Sequence, residues 1–422
     1  MQKKMRAVFL LTLVTLAILS IGCYFPVFHS PTVTATFIPS PSNTPEQTTT
    51  RTPEILETPP ITSGPFNLVA IVNQVIAGTT RSLITTEDGS LWLTTDKGVV
   101  KITDMGLSVY LSDMVGKIAG VDSSGRVWVV NEDMSQIAAW NGKAGIIYGS
   151  DSGWAPVSVI NYPYVRGGKT DPLGRVWFAT SQDVRFFEGN FWTVVTPQEM
   201  GMEPTRQEDL MPNYTVFILK DGSIWVAECD WGGPGPFGGQ GIRWLDNGTW
   251  KGKSSPVASG CATAVAEDST GHVWAGVENS LWRYDPVSDT WEEFPPPESP
   301  IADMRFGFVN SISVDPDDTV WSILVLCGGA SCYGNSVLYH LQDETWNQIG
   351  EVSEFDYGYW GPLFDATGIA WIFWTGGIYR IQGDAPELVS PLAGRQSTID
   401  GNGKLWLVAP YEEQDALWVL SE

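Results

Sequence analysis

The sequence predicts an all-β chain built from one motif repeated eight times, and three observations carry that reading. An acidic residue, a tight turn that usually contains Gly, an apolar residue and then Trp recur at Trp92, Trp128, Trp177, Trp225, Trp274, Trp321, Trp371 and Trp406. Those tryptophans stand 35 to 50 residues apart, with room for four strand-like segments in each interval. The composition agrees, since 20 Trp and 44 Gly in 422 residues supply aromatic core and turn residues in quantity. Repeats of this period with four strands each predict a single β-propeller of eight four-stranded blades, with a seven-blade ring containing one degenerate repeat as the alternative.

Before the repeats, residues 1–22 read MQKKMRAVFLLTLVTLAILSIG: a basic start, an apolar run and small residues ahead of Cys23. This is the layout of a secretory signal peptide. Its apolar run is shorter than the roughly 20 residues that span a membrane as a helix. The string Leu19-Ser20-Ile21-Gly22-Cys23 resembles the lipobox of bacterial lipoproteins, with Ser20 where that family has Leu. The resemblance implies that Cys23 becomes the acylated first residue of an exported protein. The lipid makes the membrane a partner and holds the protein at the outer face of the bacterial membrane or cell surface. Residues 23–64 are rich in Pro, Thr and Ser and too poor in large apolar residues to form a core, so a disordered tether is expected. At about 3.1 Å per residue it would reach up to about 100 Å.

The propeller itself is expected over residues 65–422. Its turn motif is clearest in Asp122-Ser123-Ser124-Gly125-Arg126-Val127-Trp128, and equivalent turns open at Asp171, Asp221, Asp268, Asp315, Asp365 and Asp400. Asp bonds the backbone that follows it, and Gly supplies the positive φ of a tight hairpin. The fifth repeat shows all four strands: Ala262–Glu267, Val273–Val277, Leu281-Trp282-Arg283-Tyr284 and Thr290–Phe294. Neighbouring apolar residues such as Val127-Trp128 require a sheet covered on both faces, as a blade is. Each Trp buries about 150–250 Å², contributing several kcal/mol at about 25 cal/mol per Å², so the eight are read as core. Only one strand follows Trp406. The orphan strand Phe66-Asn67-Leu68-Val69-Ala70-Ile71-Val72 is therefore predicted to complete the last blade and remove an open edge.

The Asp-x-x-Gly-x-(Leu/Val)-Trp strand is followed by a Gly/Ser-(Leu/Ile/Val)-x-(Arg/Lys)-(Tyr/Ile) strand, as in Gly271-His272-Val273-Trp274 with Ser280-Leu281-Trp282-Arg283-Tyr284. Over residues 80–422 this pattern resembles the two-component-regulator propeller repeat, which is related to repeats of streptogramin-lyase-like and quinoprotein-like propellers. The resemblance implies a periplasmic sensing module, so that a sensory subunit serving a separate membrane kinase is one reading of function.

The formal charge is −24, and no Lys/Arg cluster appears after residue 6, which excludes a nucleic-acid partner. Cys229, Cys261, Cys327 and Cys332 are even in number and expected to pair in an oxidising compartment. Four cysteines allow three connectivities. The short Gly-rich loop from Cys327 to Cys332 favours that pair together with Cys229–Cys261. Insertions at 228–241 and 327–336 read as loops between second and third strands, and 145–168, 197–213, 295–310 and 350–362 as connections between blades. All fall on the face opposite the Asp/Gly turns, where elaborated loops usually hold ligands. They carry Trp154, Tyr162, Tyr164, Trp231, Phe237, Tyr357, Tyr359 and Trp360, with Arg166, Arg206 and Arg305, as candidate ligand contacts. The three histidines, His29, His272 and His340, avoid that face, so no cofactor, metal site or histidine-based catalysis is expected. The Asp-rich turns at Asp315 and Asp400 lack the ligand set of a calcium loop and read as hairpins. The expected function is a monomeric, non-enzymatic binding or scaffold module for a peptide, glycan or partner protein. A carboxylate-based glycan hydrolase or lyase is the enzymatic alternative.

Overall fold

The repeated turn shows why each repeat folds as it does. In the second repeat the Gly125 N–H donates to the Asp122 carbonyl (2.9 Å) and the Asp122 N–H to the Arg126 carbonyl (3.1 Å). Gly125 has φ 74°, the left-handed region that only glycine enters without a Cβ penalty. The Asp122 carboxylate then serves two structures at once. Its Oδ1 accepts the N–H groups of Ser124 and Arg126, both at 3.0 Å, and its Oδ2 accepts the Trp128 indole N–H at 2.8 Å.

The same indole-to-carboxylate bond joins Trp177 to Asp171, Trp274 to Asp268, Trp321 to Asp315, Trp371 to Asp365 and Trp406 to Asp400, at 2.8 to 3.0 Å. Two repeats depart from it, because the residue six places before Trp is Thr86 in the first and Leu219 in the fourth. There Trp225 donates to the Ser223 hydroxyl at 2.9 Å instead. In the sixth repeat Asp318 replaces the turn glycine at φ 63°, and its carboxylate accepts the Ser269 N–H of the preceding repeat at 2.7 Å.

The computed structural model describes residues 49–51, 62–63, 65–72, 78–103, 106–111, 115–141, 144–154, 165–203, 211–232, 235–328, 331–354, 362–365, 367–374, 376–383, 385–392, 394, 396–400 and 402–420. All belong to one of two compact units, Asn43–Glu422, whereas the leader and Cys23 lie outside the described residues.

Eight antiparallel sheets follow one another along the chain as the blades of a propeller, with strands ordered as they occur in sequence. The innermost strands are Thr80–Thr85, Gly116–Val121, Val165–Thr170, Met211–Ile218, Ala262–Glu267, Arg305–Val314, Leu363–Phe364 and Gln396–Ile399. Blade eight takes its outer strand from the other end of the chain. Phe66–Ile71 pairs with Gln414–Leu420, placing Phe66 opposite Leu420 and Leu68 opposite Trp418, so the ring closes at eight blades. Part of the stretch expected to be a disordered tether lies in sheets as well. Thr62–Ser63 extends blade eight, and Thr49–Arg51 pairs with the outer strand of blade one, Gly106–Leu111. An outer strand offers unpaired backbone groups to any extended segment within reach. The 145–168 segment, expected to be a connection, begins with the fourth strand of blade two, Gly145–Tyr148, which has no Trp to mark it.

Apolar side chains gather in eight clusters, one at each blade interface, and each cluster holds one repeat Trp. Trp128, for example, packs on Phe178, Phe187 and Trp192 of blade three at 5.2 to 5.8 Å between ring centres. Seven of the eight tryptophans are buried, and Trp406 is half-buried where blade eight meets Leu91, Leu93 and Val100 of blade one. Between blades two and three the inner backbones nearly touch. A Cβ at Gly120 would lie 1.7 Å from the Gly167 carbonyl oxygen, so this position admits glycine alone.

Burial on its own would raise the clamp carboxyls. Hydrogen bonds from hydroxyl, indole and backbone donors outweigh it and hold Asp122, Asp171, Asp268 and Asp365 below the ordinary carboxylate range. Their stabilisation is complete above the unfolded-state pKa and is lost as pH falls through the lower folded value. Asp171→Ala strands the Trp177 indole and two turn amides, and urea unfolding should show a loss of about 1–3 kcal/mol. Asp221→Ala, which loses one turn bond to Ser223, should cost less than about 1 kcal/mol. Equal losses would show that the indole bond is inert.

Candidate binding face

Two blades carry long hairpins on the face opposite the Asp/Gly turns. In blade four the second and third strands are Ile224–Gly232 and Gly235–Asp246; in blade six they are Val320–Gly328 and Ser331–Gln342. Those of blade five between them, Val273–Val277 and Ser280–Asp285, are far shorter. The segments 228–241 and 327–336, expected as loops, are therefore mainly paired strand. Their Gly and Pro content reads as loop, but register shifts at Glu228, Asp230 and Trp231 absorb it while the ladder continues. The 295–310 and 350–362 connections likewise overlap strands, Arg305–Val314 and Thr345–Glu354, and the 197–213 connection runs into Met211–Ile218.

Both expected disulfides are present. Cys229–Cys261 ties the blade-four hairpin to the chain entering blade five, and Cys327–Cys332 closes the tip of the blade-six hairpin. Backbone bonds reinforce the first, as Gly241 N–H donates to Gly260 and Gly260 N–H to Gly239, at 2.9 and 3.0 Å. Beneath the second, a Cβ at Gly307 would lie 1.9 Å from Cys327 Sγ, so a side chain there would displace the disulfide. The Trp231 ring packs edge-on against Phe308 of blade six at 5.4 Å. The blade-four hairpin thus leans across blade five and rests on blade six.

A buried polar group underlies this contact. Glu228 is fully buried and sits opposite Tyr214 on the inner strand of blade four. Burial, and then the neighbouring Asp230, push its carboxyl up to about 8, although it accepts the Gln240 N–H. It therefore holds a proton at neutral pH. Burial and the charges of Glu228, Asp230 and Asp183 also raise the Tyr214 hydroxyl well above its ordinary value. Arg243 lies nearby as a staple for carbonyls. Its Nη1 donates to Gln240, Ile242 and Ala258, and its Nη2 to Gly201 and Ala258, at 2.8 to 3.5 Å. Neither Glu228 nor Arg243 was singled out from sequence, where Glu228 reads only as the start of a loop. The available signal was the unbroken Ile224-Trp225-Val226-Ala227 run leading straight into it, which marks a continuing buried strand.

The candidate ligand contacts separate into three groups. Trp154 is 2% exposed, packs on Trp192 at 4.6 Å and donates its indole N–H to the Met134 carbonyl, so it is a core residue with no face for a ligand. Trp231 is half-buried in the hairpin contact, and Arg166 and Arg305 are exposed on inner strands rather than in loops. Tyr162, Tyr164, Arg206, Tyr357, Tyr359 and Trp360 lie outside the described residues, as does the side chain of Phe237. His340 is a buried third-strand residue packed on Trp321, and His272 belongs to an Asp/Gly turn. Among the described residues, no three His, Cys, Asp or Glu side chains are placed to hold a metal ion.

No protein-family model matches the sequence, and no curated protein does. Similar solved structures include the extracellular domain of a hybrid two-component system from B. thetaiotaomicron, at 12% identity and TM-score 0.38, covering 84% of this chain and 60% of that one. A catalytically inactive virginiamycin B lyase from Staphylococcus aureus is 16% identical with TM-score 0.40, covering 85% and 99%. The Dos1 propeller is 10% identical with TM-score 0.49, covering 81% and 93%. The chain spans about 60% of the length of the first of these domains.

The Glu228 proton carries a pH dependence whose sign is fixed. The folded state keeps a proton that the unfolded chain releases above about 4.3, so this stabilisation is full below that pH and lost as pH rises toward the folded value. The melting temperature should therefore fall between about pH 5 and pH 8. Glu228→Gln, which keeps a hydrogen-bonding group and removes the titration, should flatten that decline. An unaltered pH profile in the variant would contradict the assignment.

Proposed function

We propose that this chain is an exported, lipid-anchored propeller that acts as a non-enzymatic binding module. Its ligand face is formed by the hairpins of blades four and six. The observation that carries the reading is that the blade-four hairpin reaches blade six, where Trp231 packs on Phe308 of the innermost strand, and that each hairpin is stiffened by its own disulfide, because a preorganised surface loses less entropy on binding. The two disulfides also support export, since such bonds persist in oxidising compartments. Anchoring follows from the leader and Cys23. The ligand class is an extracellular peptide, glycan or partner protein, and a role as the sensory subunit of a membrane kinase is one use of such a face. Glu228 is fully buried beside Asp230, so this carboxyl is not open to a substrate, which favours binding over turnover.

The test is a glycan and peptide array probed with the protein, with each hit recovered and analysed by mass spectrometry. Hits should return intact, and Trp231→Ala combined with Arg166→Ala should weaken them at least about tenfold, or about 1.4 kcal/mol. Cleaved hits would replace this reading with an enzymatic one. Binding that survives both substitutions would remove the ligand from the hairpin face.

A further inference from the structure

At the other end of the central channel, near the Asp/Gly turns, the innermost strands of blades three, four and five surround a cavity of about 310 Å³. It is lined by Lys169, residues 216–220 and residues 265–267. Val216 and Val265 are buried and give it an apolar floor. Met211–Ile218 is the first strand of its sheet, paired on one side only, so its free backbone edge faces the channel.

Charge distinguishes this channel from the rest of the molecule. The chain carries −24 overall, yet its eight innermost strands hold Arg81, Lys117, Arg166, Lys169 and Arg305 against a single acid, Glu267. Arg81 is paired with Glu132 at 2.8 Å. Glu267 accepts the Lys220 backbone N–H at 2.6 Å, and Lys220 Nζ turns to the Asp268 carbonyl at 3.2 Å. Lys169 is exposed and follows the bulge at Gly167, where the register shifts by one residue. Of these cations only Lys169 stands at the turn end of its strand, at the rim of the apolar recess, and a cation there attracts anions from solution.

We propose that this cavity binds a small organic anion with an apolar body. The carboxylate pairs with Lys169, and the hydrocarbon part lies on Val216 and Val265. The volume stands at the lower end of ligand sites, which run from about 300 to 1,000 Å³, and suits a molecule of about a dozen non-hydrogen atoms. The site is separate from the hairpin face and does not depend on the function proposed for it.

Isothermal titration of the full chain with 4-phenylbutyrate tests this. Saturable one-site binding is expected, with the uncharged 4-phenylbutanol at least about tenfold weaker. Lys169→Met, which keeps the apolar stem and removes the charge, should weaken the acid by the same factor with no change in melting temperature. Inorganic phosphate should not compete, because it leaves the apolar floor uncovered. The proposal is overturned by no saturable heat up to about 10 mM, by equal affinity for the alcohol, by an unaltered Lys169→Met titration, or by phosphate competing as well as phenylbutyrate. Should the variant melt early, the comparison of acid with alcohol on the unaltered chain decides.

Discussion

A carboxylate that bonds its own turn and also the indole six residues later is the constraint on which the rest of this structure depends. The turn bonds set where the first strand ends and the second begins. The indole bond then fixes the Trp ring relative to that turn, so that it enters the interface with the next blade at a set depth. A buried indole N–H without a partner would cost about 1–3 kcal/mol, and the Asp removes that cost in six of the eight repeats. With the ring satisfied, its whole apolar surface is available for packing. One cluster per interface, repeated eight times, makes a closed core with no centre of its own.

One of the two departures from this rule falls in an elaborated blade. Blade four lacks the clamp, since Leu219 occupies the Asp place, and it carries a long hairpin, a disulfide to the next blade and the buried Glu228. Covalent and carbonyl-staple contacts hold there what the indole bond holds elsewhere. The two devices also respond to pH from opposite sides. The clamps depend on charged carboxylates and weaken in acid, whereas Glu228 depends on a retained proton and weakens toward alkaline pH. Stability is therefore bounded in both directions by named residues.

Most of the fold was legible in the sequence because its determinants are local and repeated. The Asp-to-Trp spacing, the turn glycines and the orphan strand before the first repeat suffice to place eight blades and their closure. The disulfide pairs were legible because one pair closes a short Gly-rich segment. The binding face was much less so. Pro and Gly in 228–241 signal a break in local structure, and the bulges that let a ladder run through them depend on partners far away in sequence. Trp154 illustrates the limit on single residues: its position in a long connection says nothing about the Met134 carbonyl that receives its indole. The cationic lining of the channel was hidden for another reason. Its residues are spread over four strands and never form a run in the chain.

The most direct test of the central account is hydrogen exchange at the tryptophan indoles, followed by NMR on the labelled protein. The indole N–H groups of Trp128, Trp177, Trp274, Trp321, Trp371 and Trp406 should exchange only when the ring itself unfolds, and all six at a common rate. Asp171→Ala should release Trp177 alone from that set, with the other five slow. Fast exchange at the six in the unaltered protein, or a Trp177 that stays protected without Asp171, would show that packing alone positions the indoles and that the carboxylate clamp is incidental.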